Sequence, residues 1–359
     1  MGTLMLTYMQ RIPQVSEEYL SAELDRPSLQ LVDILRSGTP VVLTGCGTSY
    51  HMALNGARYF AAIAGIDARA VTSFDLERYS FGVASGRLLL AISHSGTTKA
   101  TLDAVEKVRN SVAKVVAISA RGDTKIARSA DIAIVLPGGW EEAYPKTMTY
   151  TCGSLQLLRI ACVTASCEPA RKILPDALTV RTWLQESFDR NKDVVKEAAA
   201  AWKDRDVFTF VGGGPGWVAA LEIALKMKEN NYTASEGIEV EEIAHGRMAA
   251  VNRARPVICI VLPSCADRAA DIVNAARHLG APTMVVADEN LAREFSADFV
   301  LTVPATPSEL LTAILAVSPL QYFSHQLSLA KGINPDSIRT DDPVFAFAQS
   351  KWIFPPGTH

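Results

Sequence analysis

The sequence has no surplus of positive charge. Its 35 Lys and Arg stand against 38 Asp and Glu, a formal net charge of −3. Without a basic field, a nucleic-acid partner is not expected. An anionic small molecule is still allowed, because helix N-termini bind phosphate without a basic patch. Cysteine is sparse and scattered: Cys46, Cys152, Cys162, Cys167, Cys259 and Cys265 form no C-x-x-C pair, and no histidine cluster accompanies them. A metal site is therefore not expected, and isolated thiols fit a reducing, cytoplasmic setting better than a disulfide framework. No apolar run is long enough to cross a bilayer. The N-terminus has no basic segment leading into an apolar signal core, and Leu6 stands where a myristoylation signal after Met1-Gly2 wants Ser or Thr. A membrane partner is not expected either. The dinucleotide fingerprint is also missing: the third Gly of G-x-G-x-x-G would fall at Tyr50 after Gly45-x-Gly47, and at Trp217 after Gly212-x-Gly214.

What the chain does have is length, apolar residues and a repeat. At 359 residues and 48% hydrophobic, it can bury two cores of ordinary domain size. Gly47 and Gly214 are 167 positions apart, as are Ser129-Ala130-Asp131 and Ser296-Ala297-Asp298, and Pro137 and Pro304. Three matches at one offset indicate two copies of one unit. In copy one, β-rich runs fall at about 40–45, 67–73, 87–92, 113–119 and 131–136. In copy two they fall at about 207–212, 256–262, 282–287 and 298–303. Ala- and Leu-rich stretches of helical length separate them. Strands alternating with helices predict an α/β fold with parallel sheets covered on both faces. Ligands are then expected at the carboxyl ends of strands. The expected layout is a helical segment over 1–36, a first domain over 37–170, a linking helix over 171–203 (its helical core at 177–203), a second domain over 204–332 and a tail over 333–359. Asn334-Pro335, Asp342-Pro343 and Pro355-Pro356-Gly357 predict that the tail is irregular.

Two places carry chemistry. Ser93-His94-Ser95-Gly96-Thr97-Thr98 follows the apolar run Leu88-Leu89-Leu90-Ala91-Ile92 and precedes a helix-forming segment. Hydroxyls and a Gly at a strand-to-helix turn make a phosphate cradle; simple helix capping is the alternative. Thr48-Ser49 after Gly47 offers a second hydroxyl pair at the end of another strand. In the second copy, Glu222, Lys226 and Glu229 share one helical face, read either as a solvated salt-bridge stripe or as part of a site. Downstream, Glu236, Glu239, Glu241 and Glu242 precede His245, a candidate acid/base partner.

At these residues the sequence resembles a known family. Gly45-Cys46-Gly47-Thr48-Ser49-Tyr50, the 93–98 turn, the helical run from Ala220 to Glu229 and Ile243-Ala244-His245-Gly246 are similar to signature segments of the isomerase half of glutamine–fructose-6-phosphate transaminase (glucosamine-6-phosphate synthase), a double-SIS (sugar isomerase) family that includes glucosamine-6-phosphate deaminases. The resemblance implies two tandem SIS domains, each a five-stranded parallel sheet flanked by helices. It places Cys46, Gly47, Thr48, Ser49, Ser93, His94, Ser95 and Thr98 at a sugar phosphate, with Glu222 and Lys226 as supporting helix residues. It makes Glu229 the base that moves a proton between C1 and C2, and His245 the ring-opening acid/base, reaching the site from the other subunit of a homodimer. No cofactor is implied. The departures are Thr97 for a usual Glu, Arg247 for a usual Pro, and Pro145 for a small hydroxyl residue before Lys146-Thr147. The family's tail amine would fall at Ala348, so its Schiff-base role passes to Lys351 as the next lysine. Arg247 is either a surface arginine or a reader of a second anionic group. The chain enters the SIS region almost directly, so ammonia from glutamine is not expected. The leading expectation is an amino-sugar-phosphate deaminase/isomerase yielding fructose 6-phosphate and ammonia. The others are a fructosyl-amino-acid 6-phosphate deglycase and a non-catalytic sugar-phosphate sensor.

Overall fold

The computed structural model describes residues 3–165 and 167–355; Met1, Gly2, Ser166 and the end of the Pro355-Pro356-Gly357 signal lie outside the described residues. The chain forms two compact units that do not follow chain order. One gathers the residues up to Pro13, the short segment Ala143–Thr147 and Leu178–Arg339. The other gathers Gln14–Glu142, Met148–Ala177 and the chain from Thr340 onward.

The second of these holds a sheet of β1 (Val41–Gly45), β2 (Ala68–Thr72), β3 (Leu88–Ile92), β4 (Lys114–Ser119) and β5 (Ile132–Val135), in the order β2-β1-β3-β4-β5. Every pair is parallel, with Val41 opposite both Ala68 and Leu88. The inner strands are apolar throughout because helices cover both faces: all five residues of β1 and all five of β3 are buried. Alternate residues Val42, Leu89, Val115 and Ala117 point into one face's core. The expected strands of this copy lie where the sequence placed them.

The other unit repeats the plan with β6 (Val207–Gly212), β7 (Ala234–Glu239), β8 (Val257–Ile260), β9 (Thr283–Asp288) and β10 (Phe299–Val303), in the order β7-β6-β8-β9-β10, again all parallel. The 167-residue offset extends to the helices after the glycine turns, Thr48–Ala64 and Pro215–Asn231. Gly47 (φ 55°) and Gly214 (φ 53°) stand at their N-termini, in a backbone region that favours glycine.

Three sequence expectations need correction. The pattern reading found four strands in copy two and missed β7, an edge strand bonded only to β6 and rich in polar residues. Its Gly237 lets the helix Pro215–Asn231 lie close, since a Cβ there would come 2.6 Å from the Leu221 nitrogen. The expected single helix over 177–203 is two, Ala177–Asp189 and Lys192–Trp202. The break frees Asn191, whose amide clamps β10 by donating to the Thr302 carbonyl (2.8 Å) and accepting from its N–H (2.9 Å). The tail is not irregular throughout. Asp342 caps the helix Pro343–Ala348, accepting from the Val344 N–H at 2.9 Å, with Pro343 in its first turn. Among the described residues, no helix is long and apolar enough to cross a membrane, and no group of three or more His, Cys, Asp or Glu is placed to hold a metal.

Candidate active site

The 93–98 turn leaves the carboxyl end of β3, beside the Gly45–Ser49 turn that leaves the adjacent β1. Ser93 is buried, and its hydroxyl lies 3.2 Å from that of Thr98 and accepts the Gly96 N–H at 3.1 Å. Ser95 Oγ accepts from both the N–H and the hydroxyl of Thr97, at 3.2 and 3.0 Å. Gly96 has φ 66°, and a Cβ there would come 2.3 Å from Thr124, so the turn is tightly fixed. The helix Lys99–Val108 starts at Thr98, which makes no side-chain capping bond. Capping by Thr98 is therefore not what the hydroxyl-rich turn is for in this structure. The His94 ring is committed to the fold: its Nε2 accepts the Glu141 N–H at 3.0 Å, and the ring lies 4.7 Å from that of Trp140. Cys46 Sγ ends a chain of hydroxyls, 3.8 Å from Thr101, which bonds Ser73 (3.0 Å), which bonds Thr44 (3.2 Å). Thr48 and Ser49 are buried in the first turn of their helix, behind Gly47.

The equivalent turn of the second copy follows β8 and is already filled. Ser264 donates its N–H and its hydroxyl (2.6 Å) to the Glu309 carboxylate. A carboxylate of the chain itself thus takes the place that an anion could use.

In the second copy, the 222–229 helical face is not a solvated stripe. Glu222 and Lys226 are both 0% exposed, and Lys226 Nζ lies 3.4 Å from Glu222 and 2.5 Å from Glu229. Glu229 keeps only 14% of its side chain exposed. Burial pushes the Glu229 carboxyl above its ordinary range, Lys226 and Lys146 pull it back, and Glu222 adds to the rise. A carboxylate raised this way is a stronger proton acceptor than an ordinary glutamate, the property a general base requires. Sequence reasoning missed a contribution from the Ala143–Thr147 segment, which belongs to the same compact unit. There Tyr144 has its phenol pushed up by burial and by the Glu229 charge. Lys146-Thr147 was the available signal, but Pro145 broke the familiar pattern.

The other expected residues sit elsewhere on their units. His245 is exposed and lies 3.4 Å from the Glu241 carboxylate, which also takes a two-point bond from Arg268. Arg247 Nη1 bonds the Glu242 carbonyl and carboxylate, both at 2.9 Å, on the surface. Lys351 is exposed in the turn Gln349–Ile353, its ammonium 5.3 Å from the Phe347 ring centre and 5.2 Å from that of Trp352.

Comparison with known proteins gives a consistent picture. The family described as SIS domain matches residues 34–161 and 203–331. A glutamine–fructose-6-phosphate aminotransferase (isomerizing) of Methanothermobacter thermautotrophicus is 30% identical over 301 residues, covering 82% of this chain and 50% of that protein. The Thermococcus kodakarensis protein of the same name is 31% identical over 309 residues, covering 83% and 50%. The chain thus spans about half the length of the curated relatives it matches. Among solved structures, the C-terminal domain of glucosamine-fructose-6-phosphate aminotransferase from Francisella tularensis superposes with a TM-score of 0.85 at 21% identity, covering 94% of this chain and 98% of that one. Glucosamine-6-phosphate deaminase from Thermotoga maritima superposes with a TM-score of 0.73 at 21% identity, covering 93% and 97%. Both share the fold.

Proposed function

The chain belongs to the SIS-domain family, with two tandem copies of that domain, and on that premise we propose that it is a phosphosugar isomerase/deaminase. Its substrate is an amino-sugar 6-phosphate, with glucosamine 6-phosphate the first candidate, and its products are fructose 6-phosphate and ammonia. The observation that carries the reading is the Glu229 carboxyl, held by Lys226 in a buried place with a small exposed face and an elevated proton affinity. That is the state a C1–C2 proton carrier needs.

In this reading the phosphate is a handle whose binding energy positions the reacting carbons. The turn hydroxyls of Ser93, Ser95 and Thr98, with Cys46, Gly47, Thr48 and Ser49, are assigned to it. His245 is assigned to opening the sugar ring from the neighbouring subunit of a homodimer. Glu229 removes the C2 proton of the open-chain aldehyde, and the electron pair moves onto the C1 oxygen to make an enolate bearing the amine. Return of the proton to C1, with an amine proton passing to the C1 oxygen, leaves an imine at C2 and a hydroxyl at C1. Water adds there, ammonia leaves, and fructose 6-phosphate remains. In supporting roles, Lys226 holds Glu229 and offsets its charge, and Glu222 holds Lys226. Lys351 keeps the role of a candidate amine at the substrate carbonyl. A deglycase would use the same proton chemistry but also needs a cation for the amino-acid carboxylate, and Arg247 is engaged with Glu242.

The test is to incubate the protein with glucosamine 6-phosphate and assay ammonia and fructose 6-phosphate beside Glu229→Gln. Turnover in the wild type, lowered at least about 100-fold in the variant, is the expected result. Wild-type protein that binds the sugar phosphate without converting it would overturn the reading and leave a sensor.

A further inference from the structure

The histidine of the 93–98 turn is held at both its backbone and its ring. The Ser93 N–H donates to the Ile118 carbonyl and the Ala120 N–H to the His94 carbonyl, both at 3.0 Å, which fastens the turn to the end of β4. The ring is tied by two consecutive residues of the chain after β5. Trp140 lies against it, 4.7 Å between ring centres, and Glu141 donates its N–H to Nε2 at 3.0 Å. Glu141 is itself anchored through its side chain. It is 0% exposed, and its carboxylate accepts the Met148 N–H (3.3 Å), the Thr149 N–H (2.9 Å) and the Thr149 hydroxyl (2.7 Å). Those N–H groups belong to the first turn of the helix Met148–Ala165, where backbone donors are to spare and a negative charge is favoured. A buried carboxylate needs such bonds. All of these residues belong to one compact unit.

The direction of the bond from Glu141 to the ring has a chemical consequence. A ring nitrogen that accepts an N–H carries no proton, so the imidazole is neutral and its proton is on Nδ1. The turn therefore offers an anion hydroxyls beside a neutral ring of one tautomer, not an imidazolium. We propose that Glu141 is a positioning residue for the phosphate turn: its buried carboxylate fixes the segment whose N–H sets the tautomer and orientation of His94. The use of that turn for a sugar phosphate rests on the function proposed above; the tautomer does not.

The experiment reads the two separately. Protein with ¹⁵N in its histidine rings has six side chains to observe, and the His94 signals are those lost in His94→Gln. In the wild type Nε2 is expected bare and Nδ1 protonated. In Glu141→Ala the His94 signals are expected to move toward a mixture of tautomers, and the dissociation constant for inorganic phosphate to rise about tenfold. KM for glucosamine 6-phosphate rises with it while kcat is kept. Glu141→Gln, which still offers an oxygen to the Thr149 N–H, is expected to recover most of both. Asp25→Ala removes a helix cap elsewhere in the same unit, where Asp25 accepts the Ser28 N–H, and serves as the control for lost stability alone. If Glu141→Ala does not fold, Thr149→Val, which removes only the hydroxyl bond to the carboxylate, is read by the same signals. A protonated Nε2 in the wild type, His94 signals unmoved in the folded variant, or a weakening of phosphate binding matched by Asp25→Ala would overturn the role, as would wild-type protein that binds no phosphate. Wild-type protein that binds phosphate but does not turn over glucosamine 6-phosphate would overturn the reaction alone, since the tautomer and phosphate measurements decide the role of Glu141.

Discussion

Lys226→Met removes the ammonium that lies between two buried carboxylates and leaves a side chain of similar length. Both neighbours lose their direct counter-charge, since Nζ is 3.4 Å from Glu222 and 2.5 Å from Glu229. Breaking a buried ion pair by deleting one partner costs about 3–5 kcal/mol, because the other charge stays behind uncompensated. Here two carboxylates are left, so the upper part of that range is expected at pH 8. The cost depends on pH with a definite sign. Glu229 already binds its proton more tightly in the folded state than in the unfolded one, through burial. A carboxyl raised in this way makes the folded state lose stability as pH climbs from the unfolded value to the folded one. Without Lys226 the folded value rises further, so the variant is closest to wild type in acid and falls away as the pH increases. Adding Glu229→Gln to Lys226→Met removes one charge and recovers part of the loss. The assay is urea unfolding with hydrogen exchange in peptides from β6, whose Phe208 and Phe210 are in the core of the same unit. A cost below about 1 kcal/mol at pH 8, or a loss that does not change with pH, would refute the buried-triad argument.

Gly96→Ala places a Cβ about where Thr124 sits, in a backbone region with φ 66°. It is expected to disorder the 93–98 turn and raise KM for a sugar phosphate about tenfold or more while β3 keeps its exchange protection; an unchanged KM would detach the turn from phosphate binding. His325 is buried against Thr3 (2.8 Å) with its pKa lowered from 6.5 to about 4 by loss of solvation. A histidine depressed in the fold makes stability fall as pH drops from about 6.5 toward 4, and His325→Gln is expected to flatten that stretch of the stability–pH curve measured by urea midpoints.

How much was legible follows from what each element asks of its residues. The inner strands could be read because burial on both faces demands unbroken apolar runs such as Leu88–Ile92. β7 could not, because an edge strand tolerates Glu236, Gly237 and Glu239, and its signal lies in the Gly237 contact with a helix rather than in hydrophobicity. The spacing of Glu222, Lys226 and Glu229 fixed a common face but not the side on which water lies. That is decided by the packing of the helix, which lies against Glu309–Ala330, β6 and β7 in the same unit. Asp342-Pro343 reads as a turn or as a helix start with equal ease, and only the capping bond distinguishes them. That Ala143–Thr147 packs with the unit of Glu229 was hidden by connectivity, since a linear division of the chain puts the segment in the other copy.

The duplication also shows why one copy carries the ionisable cluster. At the 167-residue offset, Glu222, Lys226 and Glu229 correspond to Asn55, Tyr59 and Ala62. Asn55 is buried and spends its amide on Tyr150 and Ser154, both at 3.1 Å, and Tyr59 is fully buried with its phenol pushed far up. Ala62 is exposed and has nothing to ionise. The first copy has neutral, structural groups at these three helix positions and keeps an open turn of hydroxyls after β3. The second has the reverse, a charged cluster on its helix and a turn after β8 occupied by Glu309. Neither copy holds both devices. Swapping Asn55 and Tyr59 for Glu and Lys, with Glu at the exposed position 62, would therefore bury two charges in a core built for neutral groups, and cost stability rather than create a second centre.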